Sequence, residues 1–132
     1  MKKMVVAIFL IPVFLIGCNQ EQTIEVKDSN EEQSETVKEV IRNSDEIYTG
    51  NAIFIEDQLL VAVQAKPWLD YKKRKIEKKL QKEVEEQFPD LEVLVSADYK
   101  LYWETQKLLD EGDEQKVSEE VEKLKKLAKE ET

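Results

Sequence analysis

Two apolar runs, Ala52-Ile53-Phe54-Ile55 and Leu59-Leu60-Val61-Ala62-Val63, stand three residues apart in a chain with 37% charged residues. Their β-branched content and the polar break Glu56-Asp57-Gln58 predict a β-hairpin. Neither run alternates apolar with polar residues, so each strand needs cover on both faces. Any fold of this chain has to supply that cover from its amphipathic helices.

Helical spacing supplies candidates. Ser34 is a candidate cap for a first helix carrying Val37, Val40 and Ile41, with an extension toward Ile47, before Gly50-Asn51 punctuates the chain. Lys66-Pro67-Trp68 ends the second strand. Leu69, Ile76, Leu80, Val84 and Phe88 recur at steps of four or seven and predict a helix over 69–87, stopped by Pro89-Asp90. Residues 91–95 read as a third strand. Asp98 is placed as N-cap of a helix with Tyr99, Tyr102, Gln106 and Leu109 on one stripe and Leu101 and Leu108 beside it. Gly112 breaks that helix, and a last one over 114–129 turns Val117, Val121, Leu124 and Ala128 inward. The order predicts an α+β fold: a small three-stranded antiparallel or mixed sheet with helices on one face, followed by two C-terminal helices.

The N-terminus carries an address. Lys2 and Lys3 precede 13 apolar-rich residues, 4–16, interrupted by Pro12, where a membrane span needs about 20. The run ends in Leu15-Ile16-Gly17-Cys18, which resembles a bacterial lipoprotein signal with its lipobox. That resemblance implies removal of residues 1–17 and a diacylglyceryl group on the Cys18 sulfur, anchoring the chain on the extracytoplasmic face of a membrane. Two acyl chains suffice for stable anchoring where one is marginal. Residues 18–35, with only Ile24 and Val26 apolar, read as a flexible acidic tether reaching roughly 20–25 Å. It would hold a single domain, 36–130, near the bilayer without laying it on the surface.

Composition narrows the chemistry. The net charge of −9 becomes −11 once Lys2 and Lys3 leave with the signal, which argues against nucleic acid as a partner. Cys18 is the one cysteine and histidine is absent, so no internal disulfide, Ser-His-Asp site, Cys-His site or typical zinc site can form. Carboxylate or lysine chemistry remains, with Asp98 and either Glu104 or Asp90 as a candidate pair acting on peptidoglycan. The ordinary role of Asp98 is the cap, and the acids of the last helix lack the spacing of a calcium loop. The expectation is a non-enzymatic protein with no cofactor and no metal.

One segment runs against the acidic balance. Lys66, Lys72, Lys73, Arg74, Lys75, Lys78, Lys79 and Lys82 face only Asp70 and Glu77 in the same stretch. They form a candidate patch for lipid headgroups, wall polymer or an acidic protein, with Trp68 and Tyr71 at its edge. The plainer reading is a solvated face neutralised by Glu83, Glu85 and Glu86. Trp68, Tyr99, Tyr102 and Trp103 are expected mostly in the core, with a ligand groove as the alternative.

The leader with Cys18, the Asn51-Ala52 start of the hairpin, Phe88-Pro89, Val93-Leu94-Val95-Ser96-Ala97-Asp98, Gly112 and the final helix together resemble the sporulation lipoproteins of the YhcN/YlaJ type. The resemblance covers 36–128. Tyr99 stands where that family usually has proline, and the stretch after Gly112 is more acidic than usual in it. The resemblance implies a lipid-anchored protein of endospore-forming bacteria, made in the developing spore and tied to its membrane, cortex or germination through a protein or envelope partner. It carries no catalytic residues over to this chain. The alternative is a general cell-surface binding or inhibitory lipoprotein presenting the basic helix 66–82.

Overall fold

The computed structural model describes residues 23–28 and 30–131. Residues 1–17, Cys18 and the start of the expected tether lie outside the described residues. Among the described residues, four strands form one mixed sheet in the order β1-β2-β3-β4. Strand β1 (Thr23–Lys27) runs parallel to β2 (Ile47–Ile55), β2 antiparallel to β3 (Gln58–Ala65), and β3 parallel to β4 (Glu92–Ser96). Parallel neighbours need a crossover. Helix α1 (Glu31–Arg42) supplies the first, and a 3-10 turn (Pro67–Lys72) with helix α2 (Lys73–Gln87) supplies the second. Helices α3 (Tyr99–Leu108) and α4 (Glu114–Glu131) follow.

The α+β class and the mixed sheet agree with the sequence, but the sheet has four strands rather than three. The additional strand, β1, lies inside the stretch read as flexible tether. Its residues Thr23-Ile24-Glu25-Val26-Lys27 alternate, and Ile24 and Val26 pack on the core. The polar side is held by distant partners: Thr49 Oγ1 donates to Thr23 O, Gln106 Nε2 to Glu25 Oε1 at 3.2 Å, and Lys27 Nζ to Glu111 O at 2.6 Å. Helix α1 likewise begins before Ser34, because Asn30 Oδ1 accepts from Glu32 N at 2.9 Å and Gln33 N at 3.2 Å. Among the described residues, regular structure therefore starts at Thr23, not near residue 36.

Gly50 and Asn51 do not interrupt the chain; both lie within β2. A Cβ at Gly50 would meet Val63 Cγ1 of the paired strand at 3.1 Å, closer than ordinary contact, so glycine relieves crowding against β3. The hairpin turns at Glu56-Asp57, with Glu56 at φ 56°.

Helices cover both faces of the sheet, which corrects the expected one-sided arrangement. On one face Val37 and Ile41 of α1 and Ile76, Leu80 and Val84 of α2 pack with Leu59, Val61 and Val63. On the other, Leu101 and Leu108 of α3 and Val117, Val121, Leu124 and Ala128 of α4 pack with Ile53, Ile55 and Leu60. This two-sided burial is what the non-alternating strands demand, at about 1.5–3 kcal/mol per fully buried aliphatic side chain.

Candidate site: a basic, aromatic end of the sheet

The strand directions bring several loops to one end. Thr23 opens β1 opposite Thr49, Ala65 closes β3 opposite Ile47, and Ser96 closes β4 beside Ala62 of β3. The point where the chain enters the fold, the Pro67–Lys72 turn and the first turns of α2 and α3 therefore share that end. Of the predicted patch, Lys66, Lys72, Lys73, Arg74 and Lys75 lie there, Lys78 and Lys79 follow one turn on, and Lys82 is further along α2.

Arg74, Lys75, Lys78, Lys79 and Lys82 are exposed, while Lys66, Lys72 and Lys73 are half-buried. Lys66 Nζ sits 5.9 Å from the Trp68 ring centre, within cation–π range. Lys72 Nζ meets Glu46 at 2.7 Å, and Arg74 meets Glu77 at 3.4 Å. The hydrogen bond from Lys72 lowers the Glu46 pKa, aided by the fields of Lys72, Lys79 and Lys75, and the same bond raises that of Lys72. Glu83, Glu85 and Glu86, the neutralising neighbours of the plainer reading, fall in the distal half of α2, where Glu83 is four residues from Lys79 and Glu86 four from Lys82. Charge is thus segregated along the helix.

That segregation opposes helix electrostatics. An α-helix favours acids in its first turn, by typically 0.3–1 kcal/mol each. Helix α2 has none there; it starts Lys73-Arg74-Lys75, and its N-cap, Lys72, makes no side-chain capping bond. The Lys72–Glu46 and Arg74–Glu77 pairs and Asp70 in the preceding 3-10 turn offset part of that cost, and the conflict that remains at Lys73 and Lys75 is of the kind tolerated at functional positions.

The aromatic residues depart from the core expectation. Tyr102 is buried, but Trp68 is 69% exposed, Tyr71 83%, Tyr99 61%, Trp103 49% and Tyr48 56%. Tyr99 and Trp103 contact edge to face at 6.0 Å, as do Trp103 and Tyr102 at 5.4 Å. The Tyr102 hydroxyl reaches Thr49 Oγ1 at 3.2 Å, which links this cluster to the entry strand. Tyr99 and Trp103 are four apart on α3, opposite the buried Leu101, Thr105 and Leu108. That spacing was the available signal for an exposed aromatic pair, and Tyr48 carried none.

Beneath the cluster, Asn51 is fully buried in β2. Its Nδ2 donates to Gln106 Oε1 at 3.1 Å and to Tyr102 O and Thr105 Oγ1 at 3.3 Å, fixing α3 on the sheet. Asp98 caps α3 as expected, Oδ2 accepting from Leu101 N at 3.1 Å. Among the described residues no group of three or more acids is placed to hold a metal ion, and no helix is long and apolar enough to cross a membrane. An open groove of about 970 Å³, lined by Lys27, Asp28, Phe54, Glu56, Gly112 and Glu114 among others, lies at the opposite end, away from the basic patch.

These features define a small α+β domain with one cationic, aromatic end and a short connection to the N-terminal segment. Residues 16–129 match the family described as sporulation lipoprotein YhcN/YlaJ, and the chain belongs to that family. No curated protein and no solved structure matches the chain.

Proposed function

We propose that the chain is a lipoprotein anchored through Cys18 on the extracytoplasmic face of a spore membrane. There it supports spore envelope assembly or germination by binding a protein or envelope partner, without catalysis. Family membership over residues 16–129 carries this reading. The inventory is consistent with it, since the chain has no histidine and Asp98, its specific candidate acid, is engaged as a helix cap. The leader and the membership both point to an extracytoplasmic lipid anchor.

Cys18→Ala in a spore-forming host tests the anchor. The variant is expected to leave the spore membrane fraction, whereas retention there would overturn anchoring through Cys18. Abundance in vegetative cells with absence from spores would overturn the spore assignment.

A further inference from the structure

We propose that the end of the fold where the chain enters is a bilayer-docking face, seated on anionic lipid headgroups. The inference rests on the anchoring proposed above. Thr23 lies five residues beyond Cys18, so even a fully extended connection spans no more than about 18 Å. An acylated Cys18 therefore keeps this end of the sheet within about 18 Å of the bilayer, because Thr23–Lys27, read as part of the tether, is paired in the sheet.

The side chains at that end match the chemistry of a membrane interface. Trp68, Tyr71, Tyr99 and Trp103 present amphipathic rings to the outside, a type enriched at headgroup depth. Lys66, Lys73, Arg74, Lys75 and Lys100 belong to the same end. Cations near an anionic surface attract it, and long lysine stems can lie along the interface with their ammonium groups in water. The acidic excess of the chain would repel such a surface if it were spread evenly. It is weighted to the far end: Glu56, Asp57, Asp90, Glu92, Asp113 and Glu114 gather there with the open groove, while the docking end holds Asp45, Glu46, Asp70 and Asp98, of which Glu46 is paired with Lys72. Docking would turn that groove away from the bilayer. The reversed charge order of α2 then has a purpose, because its unfavourable first turn faces the lipid.

The chain holds two tryptophans, Trp68 and Trp103, and both sit at this end. Their fluorescence reads docking directly. The experiment compares the native lipidated protein in vesicles of phosphatidylglycerol and phosphatidylcholine with the chain from Cys18 onward coupled to a maleimide lipid through its single thiol. The second arm supplies an anchor whatever the native protein carries. Docking predicts a blue-shifted emission, loss of acrylamide quenching and new quenching by lipids brominated near the headgroup, all on phosphatidylglycerol vesicles. High salt should reverse the changes. Lys73→Glu with Lys75→Glu should weaken the contact several-fold per reversal while leaving the circular dichroism intact. Tryptophans that stay quenchable by acrylamide on the tethered chain overturn the proposal, as does shielding that appears only on addition of a protein partner. Docking of the tethered chain when the native protein lacks lipid would uphold this face and overturn the anchor alone.

Discussion

The Gln81 side chain pairs with the outer edge of β4 as a neighbouring strand would: its Oε1 accepts from Val95 N at 2.7 Å and its Nε2 donates to Val93 O at 2.8 Å. One turn earlier on α2, Glu77 Oε2 accepts from Ala97 N at 2.7 Å. An open edge is a template for pairing with another chain, and here two helix side chains occupy it. Gln81→Ala should cost about 1–2 kcal/mol, because the backbone groups it serves are only partly reached by water. Urea unfolding gives that loss, and size-exclusion chromatography should show new oligomers through the uncovered edge.

Asn51 makes a second prediction. Its amide serves three acceptors on α3 from a position with no exposure. Asn51→Asp removes both donors and buries a carboxylate, which should cost about 3 kcal/mol or more at neutral pH. Burial raises the pKa of the new acid, so the native state favours its neutral form and the deficit should shrink as pH falls. Denaturant midpoints of variant and parent between neutral and acid pH check this.

Glu56 holds a left-handed backbone, φ 56°, at the hairpin turn without being glycine. A side chain there costs roughly 1 kcal/mol. Glu56→Gly should therefore stabilise the protein by about 0.5–1 kcal/mol, with part of the gain offset by the entropy of glycine. Thermal unfolding should show a higher midpoint.

The Glu46–Lys72 pair sets a pH window. Glu46 is held below its ordinary value of 4.5, so its contribution is present above that value and lost as pH falls through the lowered one. Lys72 is raised above 10.5, so its contribution is present below that value and lost as pH rises through the raised one. The stability gap between the parent and Glu46→Gln should hold across neutral pH and close on both the acid and alkaline sides. A gap unchanged in acid would show that the pair does not act through charge.

Parts of this fold could be read from local pattern because local pattern decided them. Ile76, Leu80 and Val84 repeat on one face of α2, Val117, Val121 and Leu124 repeat on α4, and Asp98 caps the helix it precedes. What escaped depends on distant partners. Strand β1 is held by contacts to Thr49, Gln106 and Glu111, up to 84 residues away, although its alternation of Ile24 and Val26 was visible. Gly50 reads as a break until Val63 of the paired strand is known to press on it. The α2 patch was legible as charge, but its place beside the chain entry required the parallel pairing of β3 with β4 and of β1 with β2. Exposure of Trp103 required knowing that Leu101, Thr105 and Leu108 mark the inner face of α3.

The proposed anchoring and the docking face both depend on the state of Cys18. The intact mass of the protein extracted from purified spore membranes reads that state in one measurement. Anchoring through Cys18 predicts a chain that begins at Cys18 and carries the added mass of a diacylglyceryl group. A chain that retains residues 1–17 with an unmodified thiol would contradict it.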